Sequence, residues 1–228
     1  MIVSVHQPQY IPWLGYFDKI ARSDCFVFLD CVQYKEREFQ NRNRIRLKDG
    51  WMWLSVPVIA GGARQPIGAV KIDNGADWRR THRESLRTWY GGAPFFGEQF
   101  PFFDETYARE WESLSELNVH ITRYLLKALA ISTPLVFESE LKISGTSTRR
   151  IVEICKALKA DTYLSGGGGR EYLDEPLFAE NGITLRYQEF THPVYEQRFM
   201  PFEPYMSCVD LLFNHGAAGS SALLLHKA

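Results

Sequence analysis

Cysteine is scarce and has no pairing pattern. Cys25, Cys31, Cys155 and Cys208 are scattered, and none belongs to a C-x-x-C pair, so neither a disulfide framework nor a cysteine-based zinc module is written here. The six histidines, His6, His82, His120, His192, His215 and His226, never fall at H-x-x-x-H spacing, and no metal ligand is assigned. A magnesium ion carried in by a nucleotide such as ATP leaves no such mark and stays open. Charge of one sign is lacking too: 26 basic residues face 27 acidic ones, for a formal charge of −1, so no general field draws nucleic acid or an anionic membrane. No apolar run approaches the roughly 18 residues of a membrane span. Met1-Ile-Val-Ser-Val-His-Gln-Pro has neither the basic flank nor the apolar run of a signal peptide. The expected address is the cytoplasm. Repeats and low-complexity tracts are also missing.

What is present is enough apolar material for one substantial core. With 45% hydrophobic and 14% aromatic residues in 228, the chain reads as a single folding unit, 1–228. Ile2 to Val5 is a β-branched run that stops at His6-Gln-Pro-Gln-Tyr-Ile-Pro, where two prolines forbid both ladder and helix. From Trp13 the apolar spacing turns helical, with Leu14, Phe17, Ile20 and Ala21 on one side and Asp18, Lys19 and Arg22 largely opposite. Cys25-Phe-Val-Phe-Leu then reads as a buried strand, which makes the opening a β-α-β unit. Further strands are expected at Trp51 to Val58, near Ala69 to Ile72, at Pro134 to Phe137, at Thr162 to Ser165 and near Ile183 to Tyr187. Helical stripes run through Trp78, His82, Leu86 and Trp89, through Trp111 to Leu126, and through Thr148 to Leu158, with a break at Gly91 to Gly97 and a Pro- and Tyr-rich tail. The expected class is α/β: a mainly parallel, doubly wound sheet, Rossmann-like and nucleotidyltransferase-like, with a largely helical insertion at about 77–131.

Four clusters carry candidate chemistry. In the first, His6, Gln7, Tyr10, Pro12 and Gly15 stand where strand 1 ends, the place at which open α/β sheets bind ligands. The following helix offers free N–H groups and a positive dipole end to phosphate. The alternative is a proline-stiffened turn with a buried histidine. In the second, Lys35 and Gln40 precede Arg42, Arg44 and Arg46, whose alternation puts three guanidinium forks on one side of an extended segment, suited to phosphate or carboxylate. A solvated basic sheet edge is the alternative there. In the third, Ser165, Gly166, Gly167 and Arg170 form a glycine-rich loop after a strand, able to expose successive N–H groups to an anion, or simply a surface loop. The fourth gathers His192, Tyr195 and Gln197 with Ser207, Asp210 and Asn214 downstream. His192 is the candidate general base, or the partner of a Cys208 thiol. His6, Arg42 and the Ser165 loop are expected to converge on one cleft.

These residues also carry a resemblance. His6-Gln-Pro-Gln-Tyr-Ile-Pro-Trp-Leu-Gly-Tyr-Phe-Asp-Lys-Ile, Phe28-Leu-Asp-Cys-Val-Gln-Tyr, Asn41-Arg-Asn-Arg-Ile-Arg, Tyr163-Leu-Ser-Gly and His192-Pro-Val-Tyr-x-Gln resemble the WbqC-like proteins, found among bacterial polysaccharide and O-antigen biosynthesis genes. The order of strand, histidine loop, helix and strand is also similar to adenylyl-transferring proteins with an H-x-G-H signature, although no second histidine follows here. Ile143-Ser-Gly-Thr-x-x-Arg149 looks like their second nucleotide motif.

The resemblances imply an enzyme of surface-polysaccharide or nucleotide-sugar biosynthesis that acts on a phosphorylated or nucleotide-linked small molecule, by nucleotidyl or acyl-adenylate transfer. His6 and His192 are then the catalytic candidates. An amino-sugar acyltransferase with a thioester donor, and a non-catalytic module of a biosynthetic complex, remain alternatives. Self-association into a homo-oligomer is left open.

Overall fold

Ile2, Val3 and Val5 are β-branched and suit an interior strand, and β1 (Ile2–His6) is the centre of the sheet, paired on both sides. The computed structural model describes residues 1–225; His226 lies outside the described residues. After β1, the Pro8–Pro12 loop leads into α1 (Leu14–Ala21), and four buried apolar residues form β2 (Cys25–Phe28). An antiparallel hairpin follows, β3 (Arg42–Arg46) with β4 (Trp51–Ser55). Next come three helices, α2 (Trp78–Tyr90), α3 (Phe96–Ala108) and α4 (Leu114–Ala128). The chain then returns to the sheet through β5 (Leu135–Phe137), α5 (Glu138–Leu141), α6 (Ser147–Ala157), β6 (Thr162–Ser165), α7 (Glu175–Glu180) and β7 (Thr184–Tyr187), and finishes with α8 (Cys208–Leu225).

The main sheet has the order β5-β2-β1-β6-β7, every pair parallel. Parallel strands are covered on both faces, and alternation along each strand decides which side chain meets which layer. Val3, Val5, Cys25 and Val27 pack with Ile151, Ile154 and Cys155 of α6 and Phe178 of α7. Phe26 and Phe28 face the other way, into the larger core with Leu14, Phe17 and Ile20 of α1. Winding moves outward from β1 through β2 to β5, then reverses to lay β6 against the free side of β1. That reversal is a topological switch point, and the carboxyl ends of β1 and β6 border it.

Three stretches differ from the sequence expectation, each for a packing reason. Residues 69–72 form no strand: Ile67–Ala69 is a 3₁₀ turn, and Lys71 and Ile72 make isolated bridges to Ser113 and Val58. Gly68 sets this, since its N–H is bonded to the Asp30 carbonyl at 2.9 Å. The expected break is present at residues 91–95, but a helix the sequence did not announce, α3, follows it and forms despite Pro101. Its aromatic stripe outweighs the proline: Phe96 and Phe103 lie 5.3 and 5.6 Å from the Phe213 ring. The expected tail contains α8, whose first turns bury Val209, Leu211, Leu212 and Phe213 completely and so show no amphipathic period. The helix breaks at Gly216 (φ 65, ψ −179), where an added Cβ would lie 2.6 Å from the Phe95 ring.

A buried polar lock ties the hairpin to α8. Arg46 is 2% exposed and donates to the carbonyls of Leu47, Gly50, Phe199 and Pro201. Its backbone N–H donates to the Tyr90 hydroxyl, which donates to Asp210 Oδ1 at 3.0 Å. Asp210 Oδ2 accepts from the Tyr195 hydroxyl and Gln197 Nε2, both at 2.8 Å. Burial still pushes the Asp210 carboxyl above its ordinary range against these hydrogen bonds.

A second buried group joins the first loop to the helical insert. The Tyr10 hydroxyl lies 2.7 Å from His82 Nδ1 and 2.6 Å from the Tyr107 hydroxyl. Burial lowers His82 to about 3, opposed by a backbone hydrogen bond to Ser55. The unfolded chain, with its histidine near 6.5, therefore takes up a proton that the folded chain refuses, and stability falls as pH drops from 6.5 toward 3. Tyr10→Phe leaves His82 and Tyr107 each short of a partner. Urea unfolding should show a loss of about 1–3 kcal/mol.

Candidate functional site

The carboxyl end of β1 supplies His6 and Gln7, and the end of β6 supplies Ser165 and the glycines. Between them lies a cleft of two lobes that share His6, Lys19, Gly166 and Gly168. The polar lobe, about 250 Å³, adds Gln7, Ser165, Gly169 and Tyr172. The aromatic lobe, about 400 Å³, adds Trp13, Gly15, Tyr16, Gly167, Gln188 and Phe190. A larger recess of about 450 Å³, near Ala21, Ile131 and Leu225, offers less chemistry, since its Asp18 and Arg22 are already paired to each other at 2.9 Å.

Lys19 is the chemically distinctive residue of the cleft. It lies four residues after Gly15 on α1, hence on the same side of the helix, and is 4% exposed. Nζ donates to the Val5 carbonyl at 3.0 Å, and neither a carboxylate partner nor any other Nζ hydrogen bond is present among the described residues. Burial lowers its pKa to about 7, because the ammonium loses solvation it does not recover from an anion. The Gly166 backbone passes beside it: a Cβ built there would lie 4.0 Å from Nζ.

His6 is half-buried, with its ring edge-on to Tyr16 at 5.2 Å. Burial first, and the Lys19 charge second, lower its pKa to about 3, with the backbone hydrogen bond to Gln7 acting in the opposite sense. It is therefore neutral near pH 7. Nδ1 lies 3.2 Å from the Gln7 carbonyl; a carbonyl only accepts, so Nδ1 carries the proton and Nε2 is left with a lone pair. The glycine loop is shaped by close approach. A Cβ on Gly169 would come within 2.1 Å of Ser165 Oγ, whereas Gly167 and Gly168 have nothing within 4 Å. The Ser165 hydroxyl donates to the Gly166 carbonyl at 3.0 Å. On the far wall, Gln188 Nε2 donates to the Gly15 carbonyl and to Asp18, fixing α1 against the exit of β7.

Of the residues singled out from the sequence, His6, Gln7, Gly15, Ser165, Gly166 and Gly167 line this cleft. The others are held elsewhere. Tyr10 belongs to the buried group with His82, and the Pro12 carbonyl accepts from Cys208 N–H at the start of α8. Lys35 is exposed in a loop, its N–H bonded to the side chain of the buried Gln40. Arg42 and Arg44 lie on the outer face of the hairpin, 4.2 Å over Trp53 and 4.9 Å over Trp51, and line neither lobe. The expected convergence therefore joins His6 with Ser165 and leaves Arg42 out. Arg170 covers the Tyr187 ring at 4.1 Å. His192 Nε2 accepts from Tyr205 N–H, so Nδ1 carries the proton toward the Pro193 carbonyl at 2.8 Å; both ring nitrogens hold backbone. Tyr195, Gln197 and Asp210 form the buried lock, and burial with the nearby Asp210 charge drives the Cys208 thiol upward. Sequence reasoning missed Lys19, Trp13 and Phe190, and the i, i+4 relation of Gly15 to Lys19 was the available signal.

Sheet order and cleft together define a doubly wound α/β protein with a cleft at its switch point. The chain matches the model of the WbqC-like protein family over residues 7–222, and it belongs to that family. It is 37% identical over 218 residues, 94% of each chain, to the uncharacterized protein Rv1507c of Mycobacterium tuberculosis (strain ATCC 25618 / H37Rv). No solved structure matches it.

The depressed Lys19 pKa has a sign that can be measured. Between about 7 and 10.5 the unfolded chain holds a proton on this lysine that the folded chain has released, so stability rises with pH across that window. The gain across that window is about 5 kcal/mol at most. Lys19→Met should remove it, as followed by denaturant unfolding at a series of pH values from 7 to 10.

Proposed function

We propose that the protein is a group transferase whose cleft takes a phosphate-bearing, nucleotide-type donor, in keeping with an enzyme of bacterial surface-polysaccharide biosynthesis. The observation that carries this reading is Lys19, a buried ammonium at the junction of both lobes whose one hydrogen bond is to the Val5 carbonyl. A buried cation is stabilised by an anion arriving beside it. The aromatic lobe, with Trp13, Tyr16 and Phe190, suits a nucleobase, which stacks on aromatic side chains. The polar lobe, with Gln7 and Ser165, suits the acceptor.

In this scheme Lys19 binds the donor phosphate in its protonated form and stabilises charge that grows there during transfer. His6 enters neutral. Its Nε2 lone pair accepts the proton of an acceptor hydroxyl or amine as that atom bonds to the transferred group. The anionic donor offsets the burial and the Lys19 charge that hold His6 near 3, and so raises its basicity when substrate is present. Nucleotidyl transfer and acyl-adenylate formation both fit this division of labour.

The test is calorimetric binding of ATP, a uridine diphosphate sugar and coenzyme A, repeated between pH 6 and 9. Binding should be accompanied by proton uptake, and affinity should fall as pH rises above the Lys19 value of about 7, by up to about tenfold per pH unit. Lys19→Met should abolish binding and its pH dependence. His6→Ala should keep affinity and lower kcat by about 100- to 1000-fold. Binding of coenzyme A alone would move the donor to the thioester class, and no binding by any of the three would overturn the reading.

A further inference from the structure

One strand away from the cleft, a second group of side chains converges that has no part in the chemistry above. β2 leaves the sheet through Leu29, whose N–H is bonded to the His6 carbonyl at 2.9 Å, and delivers Asp30 and Cys31. β5 ends at Phe137, and Glu138 opens α5 beside it. Ligand atoms of Asp30, Cys31 and Glu138 lie within 4.8 Å of one another. Asp30 is oriented from outside the group: Ser139 N–H donates to Oδ1 at 3.0 Å and the Ser139 hydroxyl to Oδ2 at 2.6 Å. Its backbone is pinned by Gly68, where a Cβ would lie 2.9 Å from the Asp30 carbonyl oxygen.

Glu138 provides the independent observation. Its side chain is 1% exposed, and Oε1 is paired with Arg150, while Oε2 is buried with no hydrogen-bond partner. A buried carboxylate oxygen without a donor is costly and calls for an explanation. A cation between it, Asp30 and the Cys31 sulfur supplies one.

We infer that Asp30, Cys31 and Glu138 form a binding site for a divalent transition metal of the zinc type. Magnesium and calcium take oxygen ligands in larger number, whereas one thiolate with two carboxylates is a borderline set. Zinc bonds of about 2.0–2.3 Å put tetrahedral ligand atoms roughly 3.3–3.8 Å apart, and Cys31 Sγ already lies 3.7 Å from Asp30 Oδ1. Small side-chain rotations therefore close the remainder. On binding, the Cys31 thiol gives its proton to water and no oxidation state changes. Two carboxylates and a thiolate then carry three negative charges, Arg150 one positive, and a divalent ion makes the group neutral. Three protein ligands leave a fourth position for water, on the side where Cys31 is exposed.

The experiment is cobalt titration of the full chain, followed by absorption. The expected result is a thiolate-to-cobalt charge-transfer band that saturates at one equivalent, is displaced by zinc, and is missing from Cys31→Ser. That variant alters an exposed side chain, and its melting temperature confirms the fold. In parallel, zinc should slow iodoacetamide alkylation of Cys31 at least about tenfold, read against Cys25, Cys155 and Cys208, which are buried; magnesium should not. No band in the wild type, a band that survives in Cys31→Ser, or alkylation indifferent to zinc would overturn the site. Nucleotide binding to the cleft is measured separately, so neither proposal stands or falls with the other.

Discussion

Reversal of winding at β1 is the constraint on which the remaining features depend. β1 is the first strand of the chain and is paired on both sides, so the winding that builds outward through β2 and β5 has to reverse to place β6 against it, and the two connections that diverge there open a crevice at the carboxyl ends of β1 and β6. Backbone and side chains at those ends must then find partners across the gap. Lys19 reaches back from α1 to the Val5 carbonyl, Gln188 reaches from beyond β7 to the Gly15 carbonyl, and the glycine loop folds over Ser165. The cleft is the space these contacts span. Its electrostatics follow from the same geometry, since the packing that brings a lysine and a histidine to one strand end also removes the water that would keep both charged.

Much of the fold was legible because parallel strands and their helices leave strong periodic signals. Ile2 to Val5, Cys25 to Phe28 and Thr162 to Ser165 are short apolar runs with turn residues at their ends, and all three are strands of the main sheet. The signal failed where tertiary burial replaced periodicity. The first turns of α8 are buried all round because β3, α1, α3 and α4 surround them, and α3 survives an internal proline because its phenylalanines meet Phe213. A single sequence shows composition there but not the neighbours that give it meaning.

The site was legible in its backbone and less so in its charges. Prolines and glycines at strand ends marked the places where chain direction changes, which located His6 and Ser165. Polar residues were harder, because the same side chain serves ligand or fold according to what lies across from it. Lys19 falls on the side of α1 opposite its apolar stripe, yet its ammonium packs over the end of β1, on the Val5 carbonyl. Asp210, Tyr195 and Gln197 carry the chemistry of a site and instead complete one another around the hairpin. Arg42 and Arg44 have the spacing of an anion clamp, and their planes are occupied by tryptophans. In each case long-range pairing, which no local pattern encodes, decides the outcome.

The glycine loop has one further consequence, for how such a protein diversifies. Gly169 is locked by Ser165, so the length and path of the loop are fixed, but Gly167 and Gly168 have open space where a side chain would begin and ordinary backbone angles. Both border the aromatic lobe. A side chain at either position would begin in open space at the mouth of the cleft and add shape and polarity there. The scaffold thus separates what holds the fold from what shapes the cleft: two loop positions can carry different side chains while the strands, the buried lysine and the histidine stay as they are.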